Sequence, residues 1–402
     1  MAEADLQTPD GTAASSSPEG WADLVRTGPG TLGGRYMRLF WHPVCRAQDV
    51  EPGHAKPLRI MSEGLTLYRG EDGTPHVVAF RCAHRGTQLS TGWVEGDNLR
   101  CFYHGWLYGP DGQCIEQPAE PEPFAQKVRI RSYPTEEYLG LIFAYLGEGK
   151  PPPFPRYPDF EREDAVHLVE TYHARPCNFF NVLEKNVDPV HADFVHGNKG
   201  VGIPRVTVEE SDWGIAVRAQ RPSGEVRVNQ IGMPNLMHNL KPRRNDEETG
   251  WRDDMSWRVP IDDTHHSSFN VKLVHRSAAE DLTMDNAAFY EKRAREAALG
   301  EAILAGTLTH AELKQERGIA ITAAQDHVFQ VGQGAIPDRT QDHLGGADVG
   351  VILLRRIWER ELRALAEGRP LKQWTRDESG IASSTEQPRI GRGTGAGVIA
   401  SL

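Results

Sequence analysis

Positive charge is scarce in this sequence: 45 Lys and Arg stand against 56 Asp and Glu, a net charge of −11. That balance argues against a surface built to hold nucleic-acid phosphates. Long apolar runs are missing too, and no stretch reaches the ~18 consecutive apolar residues that a membrane-spanning helix needs. The opening MAEADLQTPDGTAASSSPEGW has neither the basic start nor the apolar core of a secretory signal. Cysteine is sparse, with five in 402 residues, so free thiols in a reducing cytoplasm are expected rather than a disulfide frame. The glycine-rich GTGAG at 393–397 has no strand–helix unit around it, which argues against a nucleotide-binding loop.

What is there is an ordinary globular composition, 39% hydrophobic and 25% charged, in a chain long enough for one to three domains. Residues 1–29 are rich in Ala, Ser, Pro and acidic groups and read as a disordered tail. Over residues 30–155, RYMRLFWHPVC, LRIMSEGLTLYRG, HVVAFRC and LRCFYHGWLYG read as short strands. Turns bearing Gly, Asp and Pro separate them, the pattern of a small all-β domain. GEGKPPPFPRYPDF closes this region as a stiff linker.

Residues 156–368 mix periodicities. ARPCNFFNVLEKNVDPVHADFVH has helical spacing broken at Pro189, whereas IAVRAQRP, EVRVNQIGM, DMSWRVPID and HHSSFNVKLVH read as strands. Helices follow over about 286–306 and 310–334, and a last amphipathic one stops at Gly368. Strands and long helices without βαβ alternation predict an α+β domain. Residues 369–402 are expected to be a loose tail.

Two of the cysteines are each followed closely by a histidine, as Cys82-x-His84 and Cys101-x-x-His104. Such donors satisfy tetrahedral zinc, but zinc ligands usually come as Cys–Cys and His–His pairs. Here each loop supplies one sulfur and one nitrogen. That division suits a Rieske [2Fe–2S] cluster, in which two thiolates hold one iron and two imidazoles the other. Gly86, Gly92, Gly105 and Gly109 permit tight loops, and Tyr103 and Trp106 can shield one side. Cys45, Cys114 and Cys177 have no such partners and are expected to be buried thiols.

A second constellation, Asp188-x-x-His191-x-x-x-x-His196, lies about ninety residues downstream. Two histidines at this spacing, with one carboxylate, complete a facial triad for a mononuclear Fe(II) centre with open positions.

Together, CAHRG…CFYHGW and the Asp188–His196 segment resemble the Rieske non-haem iron aromatic oxygenases. RTGPGTLGGRYMRLFWHPV, MPN at 233–235, WRVPIDDTHHSSF and DRTQDHLGGADVGVILLRR are similar to the phthalate dioxygenase branch. The resemblance implies an α+β chain, an all-β Rieske domain followed by a catalytic domain of helix-grip type with an antiparallel sheet. It implies a cluster on Cys82, His84, Cys101 and His104, and Fe(II) on His191, His196 and Asp326. Asp338 and Asp342 are the alternative carboxylates. It further implies that Asp188 bridges His191 to His104 of a neighbouring subunit in a homotrimer or stacked trimers. Where many family members carry Asn three residues before that Asp, this chain has Lys185, and no role is assigned there.

Electrons are then expected from a separate NAD(P)H-dependent reductase of flavin or ferredoxin type. The expected reaction uses dioxygen to dihydroxylate an aromatic carboxylate, or alternatively to O-demethylate an aryl ether. A carboxylate substrate needs a cationic anchor, with Arg218, Arg227, Lys241, Arg243, Arg244, Arg258 and Lys272 as candidates. The competing readings are a Rieske electron carrier whose large domain only binds a partner, and a zinc-stapled binding protein.

Overall fold

The structure, a computed structural model, describes residues 24–163, 165–197, 202–242, 251–275 and 286–376. The first surprise is local. RYMRLF is not strand: helix α1 (Leu32–Met37) precedes β1 (Trp41–Arg46). Thr31 caps that helix by accepting the Gly34 N–H at 3.0 Å, and Arg38 donates to the carbonyls of Thr27 and Gly34. Capping and tertiary bonds override the strand propensity of the aromatic run.

The N-terminal region then builds small antiparallel sheets. β2 (Ala55–Ile60), β3 (Glu63–Arg69), β4 (Pro75–Ala79) and β9 (Ser132–Tyr133) form one. β5 (Trp93–Glu95), β6 (Asn98–Arg100), β7 (Leu107–Tyr108) and β8 (Cys114–Glu116) form a second. β1, β11 (Leu141–Tyr145) and β10 (Thr135–Tyr138) form a third. The second sheet has its own small core, in which Leu89, Val94, Leu99, Trp106 and Tyr108 pack around Cys82 and Cys101.

The C-terminal region is a seven-stranded antiparallel sheet in the order β12-β18-β17-β16-β15-β14-β13. Its strands are β12 (Ala165–Arg175), β13 (Arg205–Glu210), β14 (Gly214–Gln220), β15 (Val226–Gly232), β16 (Leu236–Pro242), β17 (Trp251–Pro260) and β18 (His266–His275). Helices α2 (Phe179–Asn186), α3 (His191–Val195), α4 (Asn286–Leu304), α5 (His310–Leu313), α6 (Ile321–Gly332) and α7 (Val349–Ala366) accompany it. Alternation along β17 sorts Met255, Trp257 and Val259 onto one face and Asp254, Ser256 and Arg258 onto the other. The first set belongs to a large core shared with Phe143, Leu141 and Tyr145 of β11.

That shared core, and the backbone bonds Met61 N–H to Pro260 O and Ser62 N–H to Ile261 O (both 2.8 Å), join the two regions. Phe154, in the proline-rich stretch, packs edge-on against Trp41, Tyr138 and Phe143. Order also extends beyond the expected boundaries at both ends. Leu24 and Val25 are buried, and Thr27 N–H donates to Asp263 Oδ1 at 2.8 Å. At the far end Trp374 Nε1–H donates to the Tyr36 hydroxyl at 3.1 Å, and Arg376 pairs with Asp159. Residues 24–29 and 369–376 are therefore packed chain, a correction to the tails expected there, while 1–23 and 377–402 lie outside the described residues. All five cysteines are buried, and none forms a disulfide. Among the described residues, no helix is long and apolar enough to cross a membrane.

Candidate metal centres

Cys82 and Cys101 open two loops of the same construction. In each, the cysteine carbonyl accepts the N–H of the glycine four residues on: Gly86 to Cys82 at 2.9 Å and Gly105 to Cys101 at 3.1 Å. Both glycines sit at φ +72°, a conformation that other residues adopt at a cost. The loops bring the two imidazoles together, with His84 and His104 centroids 4.5 Å apart and His84 stacked on Trp106 at 4.6 Å and 6°. The Tyr108 hydroxyl lies 3.1 Å from Cys82 Sγ and accepts the Ala83 N–H at 3.2 Å. His84 Nδ1 is buried without a hydrogen-bond partner among the described residues, as suits a metal-donor atom.

One zinc ion would draw all four donors to within about 4 Å of each other. They do not converge so closely. Among the described residues, the one group of three or more ligating side chains with donor atoms within 4.8 Å of one another is His191, His196 and Asp326. Two sulfurs at one end and two imidazoles at the other suit a binuclear cluster instead. Phe102 and Tyr103, beside His104 on the second loop, are 64% and 51% exposed.

The second centre assembles from three helices. α2 is capped by Asn178 and buries Phe179, Phe180, Val182 and Leu183. The chain breaks at Pro189, and α3 begins at His191. His191 Nδ1 bonds the Asp188 carbonyl oxygen. His196 Nδ1 lies 3.1 Å from Gln325 Oε1 on α6, which leaves its Nε2 only 3.2 Å from Asp326 Oδ1. Fixing the outer nitrogen in this way aims the inner one at a metal.

Charge in this pocket is unusual. Burial pushes the His191 imidazole down to about 4, with Lys185 adding to the effect, so the ring is a neutral donor at ordinary pH. Burial opposes ionisation of Asp326, but the Lys185 ammonium outweighs it and holds the carboxyl well below the usual carboxylate range. Lys185 Nζ is 3.2 Å from Asp326 Oδ2. Asp326 Oδ1 is buried and has no hydrogen bond among the described residues, despite its closeness to His196 Nε2. Two imidazoles and a carboxylate oxygen, ionised or lone-pair-bearing and unshielded by a proton, make a donor set that fits a divalent iron.

The other candidates separate clearly. Asp338 caps its own turn through Thr340, and Asp342 pairs with Arg355, so neither reaches the histidines. His327, next to Asp326, turns to Glu301 at 2.6 Å and lines a different cavity of about 250 Å³ with Tyr172, Arg175 and Arg293. Asp188 Oδ1 accepts the N–H groups of Val190 and His191 at 2.9 and 3.3 Å, and burial raises its carboxyl. No hydrogen bond joins Asp188 to the Rieske region of its own chain among the described residues.

Of the possible anchors, Arg218 is exposed, Lys272 is held by Glu170, and Arg227 leans on Asn229 at 3.2 Å. Arg243 and Arg244 lie outside the described residues, as does the side chain of Lys241. Arg258 differs from all of these. It is 8% exposed, its Nε has no partner among the described residues, and Nη1 reaches Asn270 Oδ1 at a long 3.3 Å. Burial, then neighbouring Arg175, pushes the guanidinium down to about 10, and Asp326 is among the charges acting on it. Sequence reasoning named Arg258 among seven candidates but had no means to single it out. Gln325 and the Lys185 contact were not foreseen, because both depend on α6 lying against α2 and α3.

The Rieske [2Fe-2S] domain family matches residues 40–134. The chain is 31% identical to the 5,5'-dehydrodivanillate O-demethylase oxygenase subunit of Sphingobium sp., over 92% of this chain and 85% of that protein. It is 30% identical to the phenoxybenzoate dioxygenase subunit alpha of Ectopseudomonas oleovorans, over 86% and 85%. Among solved structures, NdmA of Pseudomonas putida CBB5 with caffeine superposes with a TM-score of 0.64 at 19% identity, over 84% of this chain and 94% of that one.

Proposed function

The chain belongs to the Rieske non-haem iron oxygenases as an oxygenase subunit, and we propose that its own substrate is an aromatic acid. We assign the cluster to Cys82, His84, Cys101 and His104, and the mononuclear iron to His191, His196 and Asp326. The observation that carries the second assignment is the convergence of those three donors within 4.8 Å. An iron held there would supply dioxygen activation, and a cluster held by the first four residues would take electrons from a separate reductase.

The chain's own residues do the rest. The Asp188 carbonyl and Gln325 hold the two imidazoles by their Nδ1 atoms. Arg258 takes the substrate's carboxylate. A buried guanidinium without a carboxylate partner is costly, and a bound anion relieves that cost. Relatives named for phenoxybenzoate and phthalate support an acid substrate. O-demethylation of a methoxy-bearing acid is the second reading, favoured by the relative named for that reaction.

Phe102 and Tyr103 beside His104, and Phe194 between the two iron histidines at 63% exposed, support a head-to-tail trimer. In it the Rieske loop of one copy meets the Asp188 turn of the next, and Asp188 links its own His191 to His104 of the neighbouring copy. The test is iron analysis joined to oxygen uptake with a surrogate reductase, across aromatic acids and methoxyarenes, with formaldehyde assayed in parallel. About three irons per chain and acid-dependent uptake are expected. Two irons per chain, with full turnover in His191→Ala, would sink the reading, and formaldehyde decides between the two reactions.

A further inference from the structure

The two oxygens of Asp326 face different partners. Oδ2 is 3.2 Å from Lys185 Nζ, in an ion pair whose side chains are 18% and 19% exposed. Oδ1 carries no hydrogen bond and faces His196 Nε2 at 3.2 Å. An ion pair so far withdrawn from water is expensive to break from one side. A carboxylate held by one oxygen has one oxygen left to give.

We propose that Lys185 is a positioning residue that makes Asp326 a one-oxygen ligand to the iron. The proposal rests on the reading of His191, His196 and Asp326 as the iron site. A facial set of three protein donors leaves three positions of an octahedral ion open, whereas a carboxylate binding through both oxygens leaves two. Lys185 thereby keeps one position available for an exogenous ligand. The placement is built into the fold. Lys185 is in the last turn of α2, one turn before the Pro189 break, and Asp326 is in the middle of α6. Neither side chain needs the other for its helix.

The probe is nitric oxide, which binds ferrous sites to give a half-integer-spin paramagnetic resonance signal. The cluster, left oxidised, is silent in that measurement. The variants are Lys185→Met, which keeps the length and removes the charge, and Lys185→Arg, which restores it. Cluster absorption and circular dichroism verify that each is folded. In Lys185→Met we expect nitric oxide to bind about tenfold more weakly and the rhombicity of the signal to change. Lys185→Arg should recover most of both. Iron lost from Lys185→Met but kept by Lys185→Arg supports the proposal equally.

A Lys185→Met protein with the wild-type signal and wild-type nitric oxide affinity overturns it, and so does iron lost from both variants. If the wild type itself gives no ferrous nitrosyl signal, the iron assignment fails, and this inference falls with it. An unchanged Lys185→Met overturns this inference alone.

Discussion

His196 Nδ1 lies 3.1 Å from Gln325 Oε1, the side chain immediately preceding Asp326. One turn of α6 thus supplies a carboxylate and also orients an imidazole from another helix. The N–H of His196 Nδ1 donates to the amide oxygen, which leaves Nε2 as the lone-pair nitrogen. Gln325→Leu removes that acceptor while keeping volume, and Gln325→Glu keeps it. Iron retained at the mononuclear site after dialysis against a weak chelator should show about a tenfold loss of affinity in Gln325→Leu. Wild-type retention in that variant would show that the contact does not orient the ring.

Asp188 is the proposed link between subunits. Asp188→Asn removes the charge but keeps the side-chain oxygen that accepts from Val190 and His191. Both metal centres should remain loaded, with substrate binding unchanged. In a single turnover, reoxidation of the prereduced cluster should slow by at least about tenfold. Stopped-flow absorbance of the cluster measures this directly, and an unaltered rate would remove Asp188 from the electron route.

Arg258 carries the substrate proposal. Arg258→Met should raise the KM for an acidic substrate by about 10- to 100-fold, the worth of a charge-assisted hydrogen bond in a buried site. Arg258→Lys should fall between, because the ammonium cannot form the bidentate contact. A neutral methyl ester should lose far less than the acid. Equal losses on acid and ester would place Arg258 in the fold rather than at the substrate.

His42 reports on the join between the two regions. Its Nε2–H donates to the Met37 carbonyl at 2.7 Å, and Nδ1 faces the Asn235 amide at 3.3 Å. Complete burial, with Arg38 nearby, pushes it down to about 4 from 6.5, although the Met37 bond works the other way. Below pH 6.5 the unfolded chain takes up a proton that the folded chain refuses. The folded state therefore loses stability as the pH falls from 6.5 to 4, by up to about 3 kcal/mol. Denaturation of the His42→Gln variant, compared with wild type at pH 7 and pH 5, should show a shallower fall. Parallel curves would refute the assignment.

Local pattern made the Rieske loops legible, because all four ligands sit within twenty-three residues, 82–104, in two short turns whose glycines are themselves a signal. The His191–His196 pair was legible for the same reason. Four strands of the large sheet were visible by their alternation. β12, β13 and β16 were not marked out, since flanking turns and composition did not set them apart. Helix α1 was misread because its cap and its Arg38 bonds lie outside the aromatic run itself.

By itself, then, the sequence determined the family and the two kinds of metal centre and named the residues proposed to hold them, because most of those residues are close neighbours along the chain. Only the tertiary structure brought Asp326, the carboxylate that the resemblance implied, to 3.2 Å from the His196 ring across 130 residues and sent Asp338 and Asp342 elsewhere. It also decided that Arg258, among the described residues, is buried without a carboxylate partner and that Lys185 holds the second oxygen of Asp326. Those properties belong to pairs of residues on different elements. Distance, burial and the field between two charges exist only once the helices have packed on the sheet.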